Sequence, residues 1–461
     1  MVCRVTISQL AEILTVALPV ASEAVLTRLG TGITTDTRTI QGGEVFLALR
    51  GENFDGHQFV EKARDLGAIV AVVDRDWQGK VPNFPLLRVD NTLTAYQAIA
   101  RWWRDQFSIP VIAVTGSVGK TTTKELIAAV LSTQGNVLKT QLNYNNEIGV
   151  PKTLLELSPE HNYAVIEMGM RGLGEIALLA QIARPTIAVI TNVGTAHIGR
   201  LGSSEAIATA KCELLAEMPA ASIAILNHDS DKLITAAAQV WQGKTLTYGL
   251  EGGDLHGTFI DNNSMGIEDL ELPLPLPGRH NAVNYLAALA VAKVLDIDWQ
   301  VFQQGLSVQL PDGRARKYEL PKDIVILDET YNAGLESMLA ALRLLADTPG
   351  KRRIAVLGTM KELGDKSLEF HRQVGTAARN LNVDALFVFA DFEEAVAMAS
   401  GAAGLPLVEI EDISAQNAHD VLARHLMEFV ETGDRILFKA SHAMELNRVV
   451  DRLRTDMIVD N

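Results

Sequence analysis

Between Val111 and Leu131 the chain reads VIAVTGSVGKTTTKELIAAVL, an apolar run, a glycine turn and a helical pattern opening on Lys-Thr-Thr. Gly116 and Gly119 let the backbone curl with its N–H groups inward, and the positive end of the following helix strengthens that anion site. Lys120 is placed to neutralise the outer phosphates of a nucleotide. The Thr121 hydroxyl, with Ser117 and Thr122 beside it, is placed to reach magnesium. The loop is shorter than the usual G-x-x-x-x-G-K-[ST] spacing, which would need glycine where Val114 stands.

Open parallel sheets hold ligands at the carboxyl ends of their strands. YAVIEMG ends such a run on Glu167, and the segment after IAVITN delivers His197, so Thr121, Glu167 and His197 point toward one edge. A carboxylate and a hydroxyl suit one hard cation; histidine is an unusual magnesium ligand and suggests a second metal position. A helix-capping glutamate and a loop histidine are the plain alternatives. In SSEAIATAKCELLAEM, helical spacing puts Lys211 on the apolar stripe of Ile207, Leu214, Leu215 and Met218. Spacing alone favours a lysine that snorkels to a boundary.

Three further segments could handle a nucleotide. Asn281 in GRHNAVNYLAA offers a donor and an acceptor to an adenine edge, or caps its helix. ILDETYNAG closes a strand with Glu329 and Tyr331, suited to ribose hydroxyls and to stacking on a base, although strand-end turns look similar. GRARKYE offers Arg314 and Arg316 to phosphate or simply to solvent.

The elements that must position these residues follow from periodicity. The apolar runs Val111 to Val114, Tyr163 to Ile166, Ile187 to Ile190 and Ile223 to Leu226 alternate with helical patterns, which predicts a parallel, doubly wound α/β sheet. Residues 245–277 break the rhythm and read as an antiparallel insertion. From IVILDE onward a second α/β rhythm runs without a GxGxxG fingerprint. Ahead of Pro110, GEVFLALRG alternates apolar and polar positions, and DGHQFVEKARDLGA puts Phe59, Ala63 and Leu66 on one helical face. Three domains are expected, at 1–107, 108–311 and 312–461.

Composition narrows the class. With 41 basic against 56 acidic residues the net charge is −15, which disfavours nucleic acid and anionic membranes. Two cysteines, Cys3 and Cys212, suit a reducing cytoplasm. The start MVCRVTISQLAEIL lacks an export signal, and no run of about 18 apolar residues occurs. A cytoplasmic protein without membrane insertion is expected.

In this order, VTGSVGKTTTKE, NYNNEIGVP, IEMG, TNVGTAHIGRLGS, AKCELL, GRHNAVNYLAA and LDETYNA resemble the Mur ligases of peptidoglycan synthesis over nearly the whole chain. The short G-x-x-G-K-T loop is that family's variant. The resemblance implies three domains: a small α/β domain binding the UDP end, a central parallel-sheet phosphate-loop ATPase domain and a Rossmann-like carboxyl-terminal domain. TTDTRTIQGGEVFLALRGENFDGHQF, DETYNAGLESM and GTMKELGDKSLEFH resemble the branch that joins D-alanyl-D-alanine to UDP-N-acetylmuramoyl-tripeptide using ATP. A monomer is expected.

By the same resemblance, Lys120, Thr121 and Glu167 bind the nucleotide and a first magnesium, His197 helps hold a second, and Lys211 matches a carbamylated lysine. Asn281, Arg316, Glu329 and Tyr331 would hold the nucleotide; Asn143, Asn145 and Asn146 would contact the muramoyl peptide, and Thr35, Asp36 and Arg38 the uridine diphosphate end. Glu329 stands where aspartate is usual, Gly334 replaces the asparagine of YNAN, and Ala440 and His442 replace glycine and arginine in a KGSR-like segment. The sibling branch that adds a diamino acid to the UDP-linked dipeptide shares the loop and metal residues, but neither DNPR nor GKGHE occurs here. A phosphate-loop switch or motor, and a nucleotide-sugar binder that has lost catalysis, are the readings from other classes.

Overall fold

The computed structural model describes residues 3–51 and 54–459; Glu52 and Asn53, inside the amino-terminal signature, lie outside the described residues. The first sheet has four parallel strands in the order Ile33–Thr34, Val45–Leu47, Val70–Asp74, Leu86–Val89. The alternation expected of GEVFLALRG does not survive, because Val45, Phe46 and Leu47 are all buried. A parallel strand between two neighbours is covered on both faces. The expected face of Phe59, Ala63 and Leu66 also shifts. Asp55 first caps a 3₁₀ turn, Gly56–Phe59, so the helix Val60–Asp65 buries Val60 and Ala63 and leaves Leu66 42% exposed beyond its end.

The second sheet has nine strands. From one edge they run Val137–Lys139, Tyr163–Glu167, Val111–Thr115, Ile187–Ile190, Ile223–Asn227, Lys244–Gly249, Leu255–Phe259, Ser264–Ile267, Leu270–Pro273. Only the last two pair antiparallel. Residues 245–277 are therefore not wholly an antiparallel insertion: Lys244–Gly249 pairs parallel with Ile223–Asn227. The helix Asp231–Val240 supplies the crossover that a parallel neighbour needs.

Val111–Thr115 is buried along its whole length, where each large apolar side chain contributes about 1.5–3 kcal/mol. Its neighbours are the later strands Tyr163–Glu167 and Ile187–Ile190, one on each side, so the winding reverses there and opens a crevice at its carboxyl end. The phosphate loop follows it directly.

The third sheet has six strands in the order Arg316–Leu320, Ile324–Asp328, Arg435–Lys439, Arg353–Gly358, Ala385–Phe389, Leu407–Ile410, antiparallel only in the first pair. The carboxyl ends of its second and third strands bring Glu329 and Lys439 to the crevice of the second sheet. Among the described residues no helix is long and apolar enough to cross a membrane.

Candidate active site

The loop between Val111–Thr115 and the helix Lys120–Ser132 is shaped by its neighbours. Gly119 has φ +84, and a Cβ there would lie 2.6 Å from Asn284 Oδ1; at Gly116 it would lie 1.9 Å from Thr191 Oγ1. Only glycine fits both contacts. Asn192 brackets the loop: its Oδ1 accepts from Val118 N at 3.0 Å, and its Nδ2 donates to Val118 O at 3.0 Å. Thr191 Oγ1 donates to the same carbonyl at 2.6 Å. Lys120 folds back over the loop and donates to Gly116 O at 2.9 Å and Ser117 O at 3.3 Å. Burial lowers its pKa against the opposing pull of Glu167.

A cleft of about 720 Å³ opens in front of this loop, between the second and third sheets. Ser117, Gly119, Lys120, Thr121 and Thr122 line it, with Asn143, Asn145, Asn146, Glu167, His197, Asn281, Glu329 and Tyr331. Most of the expected residues therefore converge. Gly116 lies just behind the lining segment.

Glu167 is buried at 3% exposure. Its Oε1 accepts from Asn145 Nδ2 at 2.9 Å, and its backbone N–H is held by Thr140 Oγ1 at 2.9 Å. Its Oε2 is buried without a hydrogen-bond partner, with Lys124 Nζ at 4.0 Å. A buried carboxylate oxygen with no donor is costly unless a cation completes it. With the Thr121 hydroxyl also on the cleft, the donor set fits a hard divalent cation.

His197 adopts the left-handed backbone, φ +67. Its Nδ1 lies 2.6 Å from Glu362 Oε2, which leaves Nε2 as the free ring nitrogen. Burial pushes its pKa down, with Glu362 pulling the other way, so the ring favours the neutral form that a metal ligand needs.

Lys211 faces inward on the helix Ser204–Ala216 at 1% exposure, so it does not snorkel as spacing alone favoured. It is not among the residues lining the cleft, yet it feels the charge of Lys120, and His197 feels that of Lys211. As an ammonium it has no place among cation ligands; as a carbamate it would present two anionic oxygens. Burial, with Lys120 adding repulsion, holds its amine well below the usual lysine range, so the unfolded chain binds the extra proton between the folded and ordinary values. Stability therefore rises with pH across that window. Lys211→Met is expected to flatten the rise, measured as urea midpoints over a pH series in carbon-dioxide-free buffer; parallel curves for the two proteins would contradict the inward amine.

Several expected contacts take a different form. Arg316 is paired with Asp312 at 2.7 Å and does not line the cleft; Arg314 does, with its guanidinium 3.8 Å from the Tyr331 ring centroid. In one continuous strand the two arginines would share a face, but Ala315 between them has φ +43, so a left-handed turn separates Arg314 from Arg316, which begins the edge strand. Tyr331 also stacks on His442 at 5.6 Å, so this ring is already in partnership before any base arrives. Asn281 donates to Pro277 O at 2.8 Å and accepts from Asn284 at 3.3 Å; the N-cap of its helix is Gly278, without a side-chain bond, so Asn281 does not cap it, and it borders the cleft. Asn146 Oδ1 caps the helix Gly149–Leu154 through Gly149 N at 2.9 Å, and Asn145 serves Glu167. Asn143 lines the cleft without such a tie.

Thr35, Asp36 and Arg38 lie on the first sheet's side, away from the cleft lining. Asp36 pairs with Arg38 at 2.7 Å, and this partner, with a smaller contribution from Lys152 beyond, holds its carboxyl below the usual range. Other residues escaped the motif reading. Lys439 and Glu336 line the cleft, and Lys124 is fully buried beneath Glu167, donating to Thr140 O at 2.7 Å and Glu125 at 2.8 Å. The only signals for them were the KASH-, GLES- and KTTTKE-type segments, whose spacing carries no separate chemistry.

A strand-born phosphate loop facing a buried, incompletely bonded carboxylate, with a third α/β unit closing the cleft, defines a phosphate-loop α/β protein built to bring a nucleotide to a second reactant. The sequence matches the Mur ligase family catalytic domain over residues 30–101, the Mur ligase middle domain over 114–292 and the Mur ligase glutamate ligase domain over 313–442. A UDP-N-acetylmuramoyl-tripeptide–D-alanyl-D-alanine ligase of Synechocystis sp. is 58% identical over 91% of each chain. The crystal structure of MurF from Acinetobacter baumannii superposes with a TM-score of 0.86 at 31% identity, covering 98% of this chain and 99% of that one. MurF ligase from Thermotoga maritima in complex with ADP gives 0.82 at 30% identity, over 96% and 100%. The chain belongs to the Mur ligase family.

Proposed function

We propose that this protein joins D-alanyl-D-alanine to UDP-N-acetylmuramoyl-tripeptide using ATP. The tripeptide carboxylate attacks the γ-phosphorus and ADP leaves; the dipeptide amine then attacks the acyl carbon, and phosphate leaves with the proton passing to solvent. The observation that carries this reading is Glu167, a buried carboxylate with one oxygen unbonded, at the same sheet edge as Lys120 and His197. Two anions must meet in such a reaction, and cations with fixed N–H groups are what lowers their repulsion.

In this reading Gly116, Ser117, Gly119, Lys120, Thr121 and Thr122 hold the polyphosphate. Thr121, Glu167, His197 and a carbamylated Lys211 would hold magnesium at two positions, and the metal would spread the charge that builds between carboxylate and phosphate. Lys211 supplies its carbamate by adding carbon dioxide to a neutral amine and releasing one proton, which the depressed basicity of the buried group favours. Glu329 and Tyr331 contact the nucleoside, with Arg314 in the role first given to Arg316 and Asn281 shaping the adenine side. Asn143 contacts the muramoyl peptide, Asn145 and Asn146 support it from behind, and Thr35, Asp36 and Arg38 take the uridine diphosphate end. The units at 1–107, 108–311 and 312–461 act as a cytoplasmic monomer.

The test is phosphate release with each substrate omitted in turn. Release is expected only when ATP, the UDP-linked tripeptide and D-alanyl-D-alanine are all present. Release with ATP alone would make the protein a switch or motor, and release with the UDP-linked dipeptide and a diamino acid would make it the sibling ligase.

A further inference from the structure

The loop that carries His197 is held from two sides. From its own sheet, Ser117 Oγ accepts from Gly194 N at 2.8 Å, which ties the loop to the phosphate site. Ser230 Oγ of the same unit accepts from Val193 N at 3.2 Å, and from Thr195 onward the side-chain grips come from the third unit. Glu336 takes Thr195 with both oxygens, from the backbone N–H at 2.7 Å and from the hydroxyl at 3.0 Å. Glu362 takes His197 Nδ1 at 2.6 Å and Arg200 at 3.0 Å, while its own carbonyl accepts from Gly199 N at 3.2 Å. The backbones touch at this point. A Cβ on Gly199 would lie 2.6 Å from Gly364 N, and one on Gly364 would lie 2.9 Å from Gly199 Cα, so only glycine on each side permits the approach.

Both partners are held in an uncommon conformation. His197 has φ +67 and Glu362 has φ +64, and a non-glycine residue in that region costs about 1–3 kcal/mol unless its surroundings impose it. Neither carboxylate belongs to the sheet that bears the loop. From Thr195 to Arg200 the loop geometry is therefore a property of the docked pair of units rather than of either alone.

We propose that Glu336 and Glu362 form a clasp through which docking of the third unit sets the His197 loop and directs its Nε2 into the cleft. They are positioning residues for the ligase reaction, and their role rests on that functional reading. A nitrogen whose partner N–H is fixed by a carboxylate presents one tautomer and one direction, and losing such a partner typically costs about 10–100-fold in activity or metal affinity. Docking and readiness for chemistry are then one event.

The test begins on the ligand-free protein. Glu362→Ala is expected to speed hydrogen exchange in the segment 192–202 and to move the His197 imidazole from the Nδ1–H to the Nε2–H tautomer in nitrogen-15 NMR spectra. Glu336→Ala is expected to speed the same exchange. In turnover, Glu362→Ala is expected to lower kcat about 10–100-fold with little change in the KM for ATP. Glu362→Gln, which still accepts from Nδ1–H, is expected to keep the tautomer and most of kcat. The Glu362 side chain is 37% exposed, so its removal leaves the core intact. Wild-type exchange and tautomer in Glu362→Ala would overturn the clasp, as would equal impairment by glutamine and alanine. A wild-type protein that fails to ligate would sink the functional reading instead, leaving the exchange and tautomer data to judge the clasp by themselves.

Discussion

Glu167→Gln is expected to lower kcat on the order of 10²–10³-fold, about 2.7–4 kcal/mol of transition-state stabilisation, the scale seen when one preorganised electrostatic group is lost. The substitution is close to isosteric, and the bond from Asn145 to the Oε1 position at 2.9 Å survives with a carbonyl in place of the carboxylate. The other oxygen becomes an NH₂ group directed at Lys124 Nζ, 4.0 Å away, so a donor faces a cation where an anionic oxygen waited for one. The fold should persist, because Lys124 keeps its bonds to Thr140 and Glu125. What is lost is the charge that completes a bound divalent ion. Initial rates over a magnesium titration check this: half-saturation is expected to rise about 10-fold or more, with binding of the UDP-linked tripeptide nearly unchanged. An unaltered magnesium dependence would remove Glu167 from the ligand set.

Lys211→Ala is expected to be as damaging, with kcat falling on the order of 10³-fold and added bicarbonate restoring nothing. The wild-type side chain is buried at 1% exposure on the helix Ser204–Ala216, a costly place for an amine that has only a structural role. Removing it leaves a cavity, which destabilises, but also removes an amine whose burial was unfavourable, and the two effects oppose each other. The melting temperature should therefore change little while turnover collapses. A variant that melts normally and ligates normally would end the carbamate proposal, since nothing else in the arrangement requires an inward lysine.

The order of strands and helices in the second and third units was legible because a strand buried on both faces reads as a short apolar run wherever it occurs. The phosphate loop was equally plain. Its glycines, lysine and hydroxyls act through local backbone geometry, and strand, turn and helix are contiguous from Val111 to Ser132. Less legible was whatever depends on a residue's surroundings rather than on its own segment. Leu66 was misplaced because a 3₁₀ turn shifted the helix phase, and Arg316 was preferred to Arg314 because only the left-handed turn at Ala315 decides which one faces the cleft. Asn145 and Asn146 looked like ligand contacts, yet the first serves a carboxylate 22 positions away and the second its own helix.

By itself, then, the order of residues determined the phosphate loop, the alternating α/β architecture and the identity of the chemical groups, because each rests on contacts within a few tens of residues or on burial that leaves a periodic trace. Tertiary structure alone decided which of those groups are free to act. Glu167 keeps an unbonded oxygen, Lys211 is turned inward, and His197 is gripped by Glu362 from 165 positions away. Partnership and desolvation are properties of what surrounds a side chain, and packing supplies those surroundings from strands and loops that no local pattern links.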